Sequence, residues 1–534
     1  MAYFSLHAYD ADVWIREFRG LRQDDESLNS DPMYAAEAEN METPNGVLQP
    51  QAAPVLYDGS FDSRVETLAS FTRRWYEGSG SNVWYVLCAG GKLYQKQAGS
   101  HIGWDTIMLP AGVTAYQSSV WSCVTYETQS EDKTIDVLLM SNALDGMIMV
   151  TPPDRPTTYG DLEEQTNGSL KAYTHKELHS PKWLVSTVNT QGKKFGVIER
   201  YMERIWGGAI AGDPDMLMYS RPYDPTDWTA AGVDEEPEDG AGDILQPSWD
   251  GDQFHALRRF GNQLLAFKKN RIWRVQNASP GEYVFSEQYG GGTEFFGTIA
   301  VDKERVFMAT VDGLSVYDGM TSSPYAREMT EKIWRTVNPA ALDQMCGALY
   351  KEKYYLAFPT GDSTVNNAML VYNLTEGTIL YYSGFHVESF MPTDDELYMT
   401  SSTLPGKIYQ LKYDSWLNGA ASGAATKWVT PWMDFGYKRI QKGGFDVYFL
   451  PEVQDTAVEL KFSVQTEKKL KTKRYTVQPL TEEQRAKPKE HRGKRLHFGG
   501  MGRKFRLIIE TEAGVTAPWR LIGGVQLVVE TDPD

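Results

Sequence analysis

Val306-Phe307-Met308-Ala309-Thr310-Val311-Asp312-Gly313-Leu314-Ser315-Val316-Tyr317-Asp318-Gly319 reads as two short apolar strands about an Asp-Gly turn. Its strands are rich in β-branched and aromatic residues, and Asp-Gly supplies the positive φ that a tight hairpin needs. The same grammar recurs along the chain. Residues 83–88 and 92–95 flank Gly90-Gly91, 137–140 and 147–150 flank Asp145-Gly146, and 183–188 and 195–200 flank Gln191-Gly192. Residues 264–268 and 271–275 flank Lys269-Asn270, 354–358 and 369–372 flank a polar loop, and 397–400 and 407–411 flank Pro405-Gly406. Successive units follow at about 40 to 50 residues, the period of four-stranded propeller blades. No blade is stable alone, because each buries its faces on its neighbours. A β-sandwich plus a barrel is the competing architecture for evenly spaced hairpins. Trp104-Asp105 and Trp249-Asp250 are the WD dipeptides present, neither in the usual repeat context.

The chain of 534 residues exceeds one ordinary core, so several domains are expected. Aromatics at 12% favour half-buried pleated surfaces and agree with strands. Cys88, Cys123 and Cys346 are far apart without CxxC spacing, which predicts free thiols rather than a disulfide framework or zinc ribbon. Met1 to Asp12 lacks the basic and apolar regions of a secretory signal, so none is expected. A net charge of −18 argues against a general nucleic-acid binder. The charge is split. Between Gly436 and Arg506, 18 Lys and Arg face 8 Asp and Glu, a net of +10 that leaves −28 for the rest of the −18 chain.

These features divide the chain into an N-terminal arm (1–57), a β-propeller (58–415), a linker (416–426) and a C-terminal β-sandwich (427–534). The fold class is therefore all-β, an irregular propeller flanked by the arm and the sandwich. In the arm, Asp31-Pro32 signals a short helix through Ala38, and Pro44, Gly46, Pro50 and Pro54 oppose regular structure. An extended arm packs over the body or reaches a neighbouring subunit. Thr330 to Val337 predicts an amphipathic helix, with Thr330 as N-cap and Pro339 beyond its end. Residues 418–425 are small and flexible. Residues 468–474 and 485–495 form a basic polar loop of the sandwich. It is either a solvated loop or a docking surface for an acidic partner subunit or DNA phosphates. Lys468, Lys469, Lys471, Lys473, Arg474, Arg492, Lys494 and Arg495 are its candidate docking residues.

Signatures of chemistry are sparse. His175 and His179 have i, i+4 spacing without the glutamate of a zinc protease, and Ser180-Pro181 follows. There is no nucleophile elbow and no phosphate-binding glycine loop in a strand–helix context. The acidic stretch from Asp234 to Gly240 lacks the alternating ligands of a calcium loop and reads as a solvated insertion. A carboxylate pair in a propeller pocket, as in glycosidases, has no positive signal here. No catalytic residue, metal or cofactor is assigned.

The most specific string is Tyr201-Met202-Glu203-Arg204-Ile205-Trp206, then Ala211-Gly212-Asp213-Pro214, then Leu217-Met218-Tyr219-Ser220-Arg221-Pro222-Tyr223-Asp224-Pro225-Thr226-Asp227-Trp228. It resembles a blade of propeller-containing bacteriophage virion proteins, the tail hub and nozzle family of short-tailed phages and relatives. Ala38-Glu39-Asn40, residues 260–267 and residues 310–319 agree with it, over roughly 35–415 in all. Gln51-Ala52-Ala53-Pro54 departs from the Arg-x-Gly that often follows the family's N-terminal turn, and the C-terminal sandwich matches loosely. The resemblance implies a non-enzymatic structural subunit of the virion, made in the bacterial cytoplasm, in a homo-oligomeric ring of six copies. It implies other tail proteins (adaptor, fibre or spike) as partners, and double-stranded DNA passing without sequence-specific binding. An acidic lining suits that passage by repelling phosphates, and the basic segment suits docking to an acidic neighbour. The competing functions are a glycan- or receptor-binding propeller at the tail tip and a tailspike-type glycoside hydrolase.

Overall fold

The computed structural model describes residues 10–531 apart from 24–29, 75–80, 101–102, 131–132, 153–161, 165–169, 173–182, 247–250, 280–281, 437–441, 487 and 489–491. Seven four-stranded antiparallel sheets follow one another around a ring. Blade 1 runs from strand Val65–Arg74 to Asp105–Thr106, blade 2 from Ser122–Ser130 to Leu184–Thr187, and blade 3 from Phe195–Tyr201 to Gly242–Leu245. Blade 4 runs from Phe254–Phe260 to Glu282–Gln288, blade 5 from Ala300–Val301 to Ser322–Pro324, and blade 6 from Cys346–Tyr350 to Thr378–Ser383. Blade 7 takes three strands from Val387–Pro392 to Ile408–Leu411 and its outermost strand from Val55–Asp58, which precedes blade 1 in the chain. A strand from before the first blade thus completes the last, and the ring is locked.

Each blade is buried on both faces, which explains why strands such as Leu264-Leu265-Ala266-Phe267 are continuous apolar runs rather than alternations. Leu264 and Ala266 face blade 3, packing with Trp206 and Leu217. Leu265 and Phe267 face blade 5, packing with Val306 and Met308. Equivalent apolar layers join blades 1 and 2 through Trp84 and Trp183, blades 2 and 3 through Tyr126 and Phe195, and blades 6 and 7 through Tyr355 and Met399. Phe307 stacks on Tyr354 between blades 5 and 6 at 5.3 Å. Blades 7 and 1 meet through Met391, Tyr398, Leu68 and Leu87.

Two further sheets form a two-layer sandwich from segments that precede and follow the propeller in sequence. In one sheet, Asp10–Ile15 lies beside Trp519–Thr531, followed by Lys442–Val453 and Lys494–Gly502. In the other, Glu37–Glu39 begins a five-stranded order through Thr426–Val429, Phe505–Thr511, Val458–Thr466 and Leu470–Val477. The described residues of the N-terminal arm pack over the body, the first of its two expected arrangements. Their apolar side chains Ile15, Phe18, Leu21, Met41 and Leu48 are buried in one continuous core with blades 5 and 6 and the sandwich. That burial outweighs the prolines: Pro44 opens a short 3-10 turn, and Pro50 sits in the two-residue strand Gln49–Pro50 that pairs with Met41–Glu42. Residues 31–36 are a turn leading to strand Glu37–Glu39 rather than a helix, with the Asp31 carboxylate accepting the Met33 N–H at 3.0 Å.

Where the chain leaves the propeller, the expected linker is pinned on both sides. Ser415–Asn418 is a helical turn capped by Asp414, and Ala421 and Ser422 donate to Thr516 and Gln51. The propeller also begins at Val55 rather than at residue 58. Gln191-Gly192 is not a hairpin turn, because Leu184–Thr187 is the outer strand of blade 2 and Phe195–Tyr201 the inner strand of blade 3. The helix spans Arg327–Trp334 and starts a turn before Thr330, which is buried. Its hydroxyl bonds back to the Ala326 carbonyl at 3.3 Å instead of capping. Trp249-Asp250 lies outside the described residues.

One buried carboxylate joins the strands around this crossing. Glu42 is fully buried, and its oxygens accept the backbone N–H groups of Ala52 at 2.9 Å, Asp414 at 2.9 Å and Ser415 at 3.2 Å, with Gln49 Nε2 at 3.3 Å. Burial outweighs these donors and raises its pKa to about 7. The folded state thus binds the proton more tightly than the unfolded chain, whose carboxyl titrates near 4.5. Its contribution to stability is complete below about pH 4.5 and lost as pH rises through about 7. In denaturant titrations from pH 4.5 to pH 8, the unfolding midpoint should fall with rising pH in the wild type and more shallowly in Glu42→Gln. Parallel curves for the two chains would refute this.

Candidate functional site

The basic segment does not form a polar loop. Leu470–Val477 and Lys494–Gly502 are strands at the open edge of each sandwich sheet, on the side opposite Glu37–Glu39 and Asp10–Ile15. They form because each pairs a valine- and phenylalanine-rich strand, Val458–Thr466 and Lys442–Val453. Lys471 and Lys473 oppose the buried Val464 and Phe462, so they point toward the seam between the sheets. Lys494 opposes the buried Phe449 from the other sheet. The Lys473 ammonium lies 5.8 Å from the Phe498 ring. Charges facing inward on edge strands oppose strand-to-strand aggregation.

The eight candidate residues separate into two groups. Arg474 pairs with Glu459 at 2.7 Å, Arg495 with Asp446 at 2.5 Å, and Arg492 with Glu452 at 3.7 Å. Lys468, Lys469, Lys471, Lys473 and Lys494 are exposed and make no ion pair among the described residues. The arginines are committed within the sandwich, and the lysines are not.

The centre of the propeller holds a cavity of about 880 Å³, bordered by blades 1 to 4, 6 and 7 and by the segment 294–299 that leads into blade 5. Glu66 and Glu388 sit at β-bulges in the inner strands of blades 1 and 7, where the extra residue re-aims a side chain. Glu388 is ion-paired with Arg64, yet burial raises its pKa. On the facing wall, Glu199 is likewise raised by burial, and burial lowers Arg258. Arg258 lies 4.3 Å from the Phe296 ring and donates to the Leu257 carbonyl at 3.0 Å. Sequence reasoning missed these groups. Their trace is charge inside inner strands, as in the Glu199-Arg200 and Arg258-Arg259 pairs. Among the described residues, no cluster of three or more His, Cys, Asp or Glu is placed to hold a metal ion. No described helix is long and apolar enough to cross a membrane. His175 and His179 lie outside the described residues.

The string from Tyr201 to Trp228 forms a clamp in blade 3. Met202 and Glu203, at φ 51° and 58°, make the tight turn that starts strand Arg204–Ile210. Arg204 is buried and donates to the carbonyls of Ser220 at 2.7 Å, Gly240 at 2.7 Å and Glu238. Gly207 is required, since a Cβ there would lie 2.4 Å from the Phe195 ring. Trp228 is buried, 4.8 Å from the same ring, and its indole donates to the Pro225 carbonyl at 3.1 Å. Arg221 holds Glu235 at 2.5 Å and Asp227 at 3.4 Å. With donors from both Arg221 Nη atoms and from the Gly232 N–H, Glu235 is held down at about 2. The clamp thus fixes the base of a projecting loop whose residues 232–239 are all exposed.

No family model matches the chain, and no curated protein matches it. Among solved structures it is similar to PorZ, an essential surface component of the type-IX secretion system of Porphyromonas gingivalis. That likeness has a TM-score of 0.34 at 8% identity and covers 68% of this chain and 38% of PorZ. It is also similar to the WD40 domain of Neurospora crassa Pan2, at a TM-score of 0.34 and 9% identity, over 68% of this chain and 96% of that one. This chain spans well under half of PorZ.

Arg204→Lys keeps the charge but loses the planar fork that reaches three carbonyls. It should cost roughly 2 to 4 kcal/mol of stability and open residues 232–239 to limited proteolysis. Unchanged cleavage and an unchanged denaturation midpoint would remove the clamp role.

Proposed function

We propose that the chain is a structural subunit of a bacteriophage tail, of the nozzle or hub type, acting as part of the DNA-ejection channel and as a platform for neighbouring tail proteins. The observation that carries this reading is the Tyr201–Trp228 string. Its residues that resemble the tail proteins, Arg204, Ser220 and Trp228, are the ones that hold the blade-3 loop out from the propeller. Conformational support for a protruding loop is what a contact-making subunit needs, and a catalyst would not require it. A propeller locked by its own N-terminal strand, with a sandwich built from both chain ends, suits a rigid building block. The ring of six copies, the virion location and the absence of catalysis belong to the proposal, as does the repulsion of passing DNA by the acidic body.

A glycan-binding or glycan-cleaving propeller is favoured by one feature, the carboxylates Glu66, Glu199 and Glu388 bordering the central cavity.

Electron microscopy of the purified chain should show closed rings around a central opening, and antibodies against it should label the tail of the phage particle. Labelling confined to peripheral fibres, with no rings in solution, would overturn the reading in favour of the glycan-directed one.

A further inference from the structure

We propose that the lysine-bearing open edge of the sandwich docks head to tail onto the acidic blade-3 loop of a second copy of this chain. The inference rests on the ring reading above and names the two surfaces that meet.

The two surfaces are complementary. Lys468, Lys469, Lys471, Lys473 and Lys494 lie along the adjoining edge strands without ion pairs among the described residues, whereas Arg474, Arg492 and Arg495 are already paired. In the blade-3 loop, Asp234, Glu236, Glu238 and Asp239 are exposed and make no ion pair among the described residues, whereas Glu235 is held by Arg221. Each charged patch carries an exposed apolar tip. Leu470 is 56% exposed within the lysine edge, and Val233 is fully exposed within the acidic loop. The loop is presented in a fixed shape by Arg204, so docking it orders little new chain.

Among the described residues, no ion pair joins the two patches within one molecule. The sandwich meets the propeller at blades 5 and 6, with Glu37–Glu39 beside the outer strand of blade 6. The lysine strands are the opposite edges of the two sandwich sheets, away from that contact. The acidic loop joins the two outer strands of blade 3, three blades of seven around the ring from blade 6. Both patches are thus left to a second copy. Such a contact is heterologous, and heterologous contacts close into rings when the rotation between copies allows. A single exposed ion pair contributes little, so the contact depends on the lysines and carboxylates acting together and weakens with salt.

The test uses the full chain in two variants, one carrying K468E, K469E, K471E and K473E, the other D234K, E236K, E238K and D239K. All eight positions are exposed, and circular dichroism confirms folding of each variant. Assembly is read by mass photometry and light scattering at low and high salt. Each variant alone should assemble at least roughly tenfold more weakly than the wild type, since it sets like charges face to face. An equimolar mixture should recover assembly, because alternating copies then present opposite charges at every contact. A lysine variant that forms rings as readily as the wild type overturns this docking and leaves the ring reading standing. Failure of the mixture to recover assembly overturns the pairing of these two surfaces. A wild-type chain that stays monomeric overturns both readings.

Discussion

The whole molecule depends on the chain leaving the propeller beside the place where it came in. Seven blades close only because Val55–Asp58, lying before blade 1, pairs with Ile408–Leu411 at the end of blade 7. Next to that pairing the two crossing segments are tied by the Glu42 carboxylate, which gathers backbone N–H groups from residues 52, 414 and 415. A carboxylate in a dry site is a costly choice of fastener. It is suited to this place because one group with two oxygens satisfies donors from both segments, where regular strand pairing has no room. The tyrosines around it, Tyr355, Tyr382 and Tyr413, are pushed further from ionisation by its charge as well as by burial.

From that closure the rest of the architecture follows by packing. A blade in a closed ring packs both faces on its neighbours, so its middle strands are runs of apolar residues, while the inner strands carry charge where they border the central cavity. The sequence shows this as short runs such as Val306 to Ala309 between turns, and those runs made the propeller legible. The hairpins at Gly90-Gly91, Asp145-Gly146 and Asp312-Gly313 stand where their turn residues place them. The Gln191-Gly192 turn was misread for a physical reason. Within a blade and between blades, a strand is followed by a turn and a strand of similar composition. Only long-range pairing distinguishes the two. The same limit hid the N-terminal segment, whose partners lie hundreds of residues away. Nothing local in Asp10–Ile15 announces a strand that will pair with the end of the chain.

The candidate surfaces were legible to different degrees. The importance of Arg204 to Trp228 was visible as a string of unusual composition. Its mechanism was not, because a buried guanidinium binding three carbonyls leaves no pattern in the residues it binds. The charge split was legible by counting, but counting treats Arg474 and Lys473 alike. Neighbouring carboxylates on the paired strands decide which cation is committed and which is free. The cavity carboxylates Glu66 and Glu388 were illegible, since a bulge is a property of register and not of composition.

The interlacing of the two termini sets the order in which this protein can be made. Asp12 and Gln526, hydrogen-bonded across the first and last strands, are 514 residues apart. On the ribosome the leading segment emerges first, with its partners Trp519–Thr531 still untranslated. Blades can stack on one another as they appear, but the sandwich has no complete sheet until the final strand is released. Ile15 must therefore wait for its partner Val525, whereas Leu21 can already donate to the Ile379 carbonyl of blade 6 and Phe18 can pack on Trp428. Release of Trp519–Thr531 thus acts as the checkpoint for the sandwich, because Asp10–Ile15 and Lys442–Val453 both pair with it.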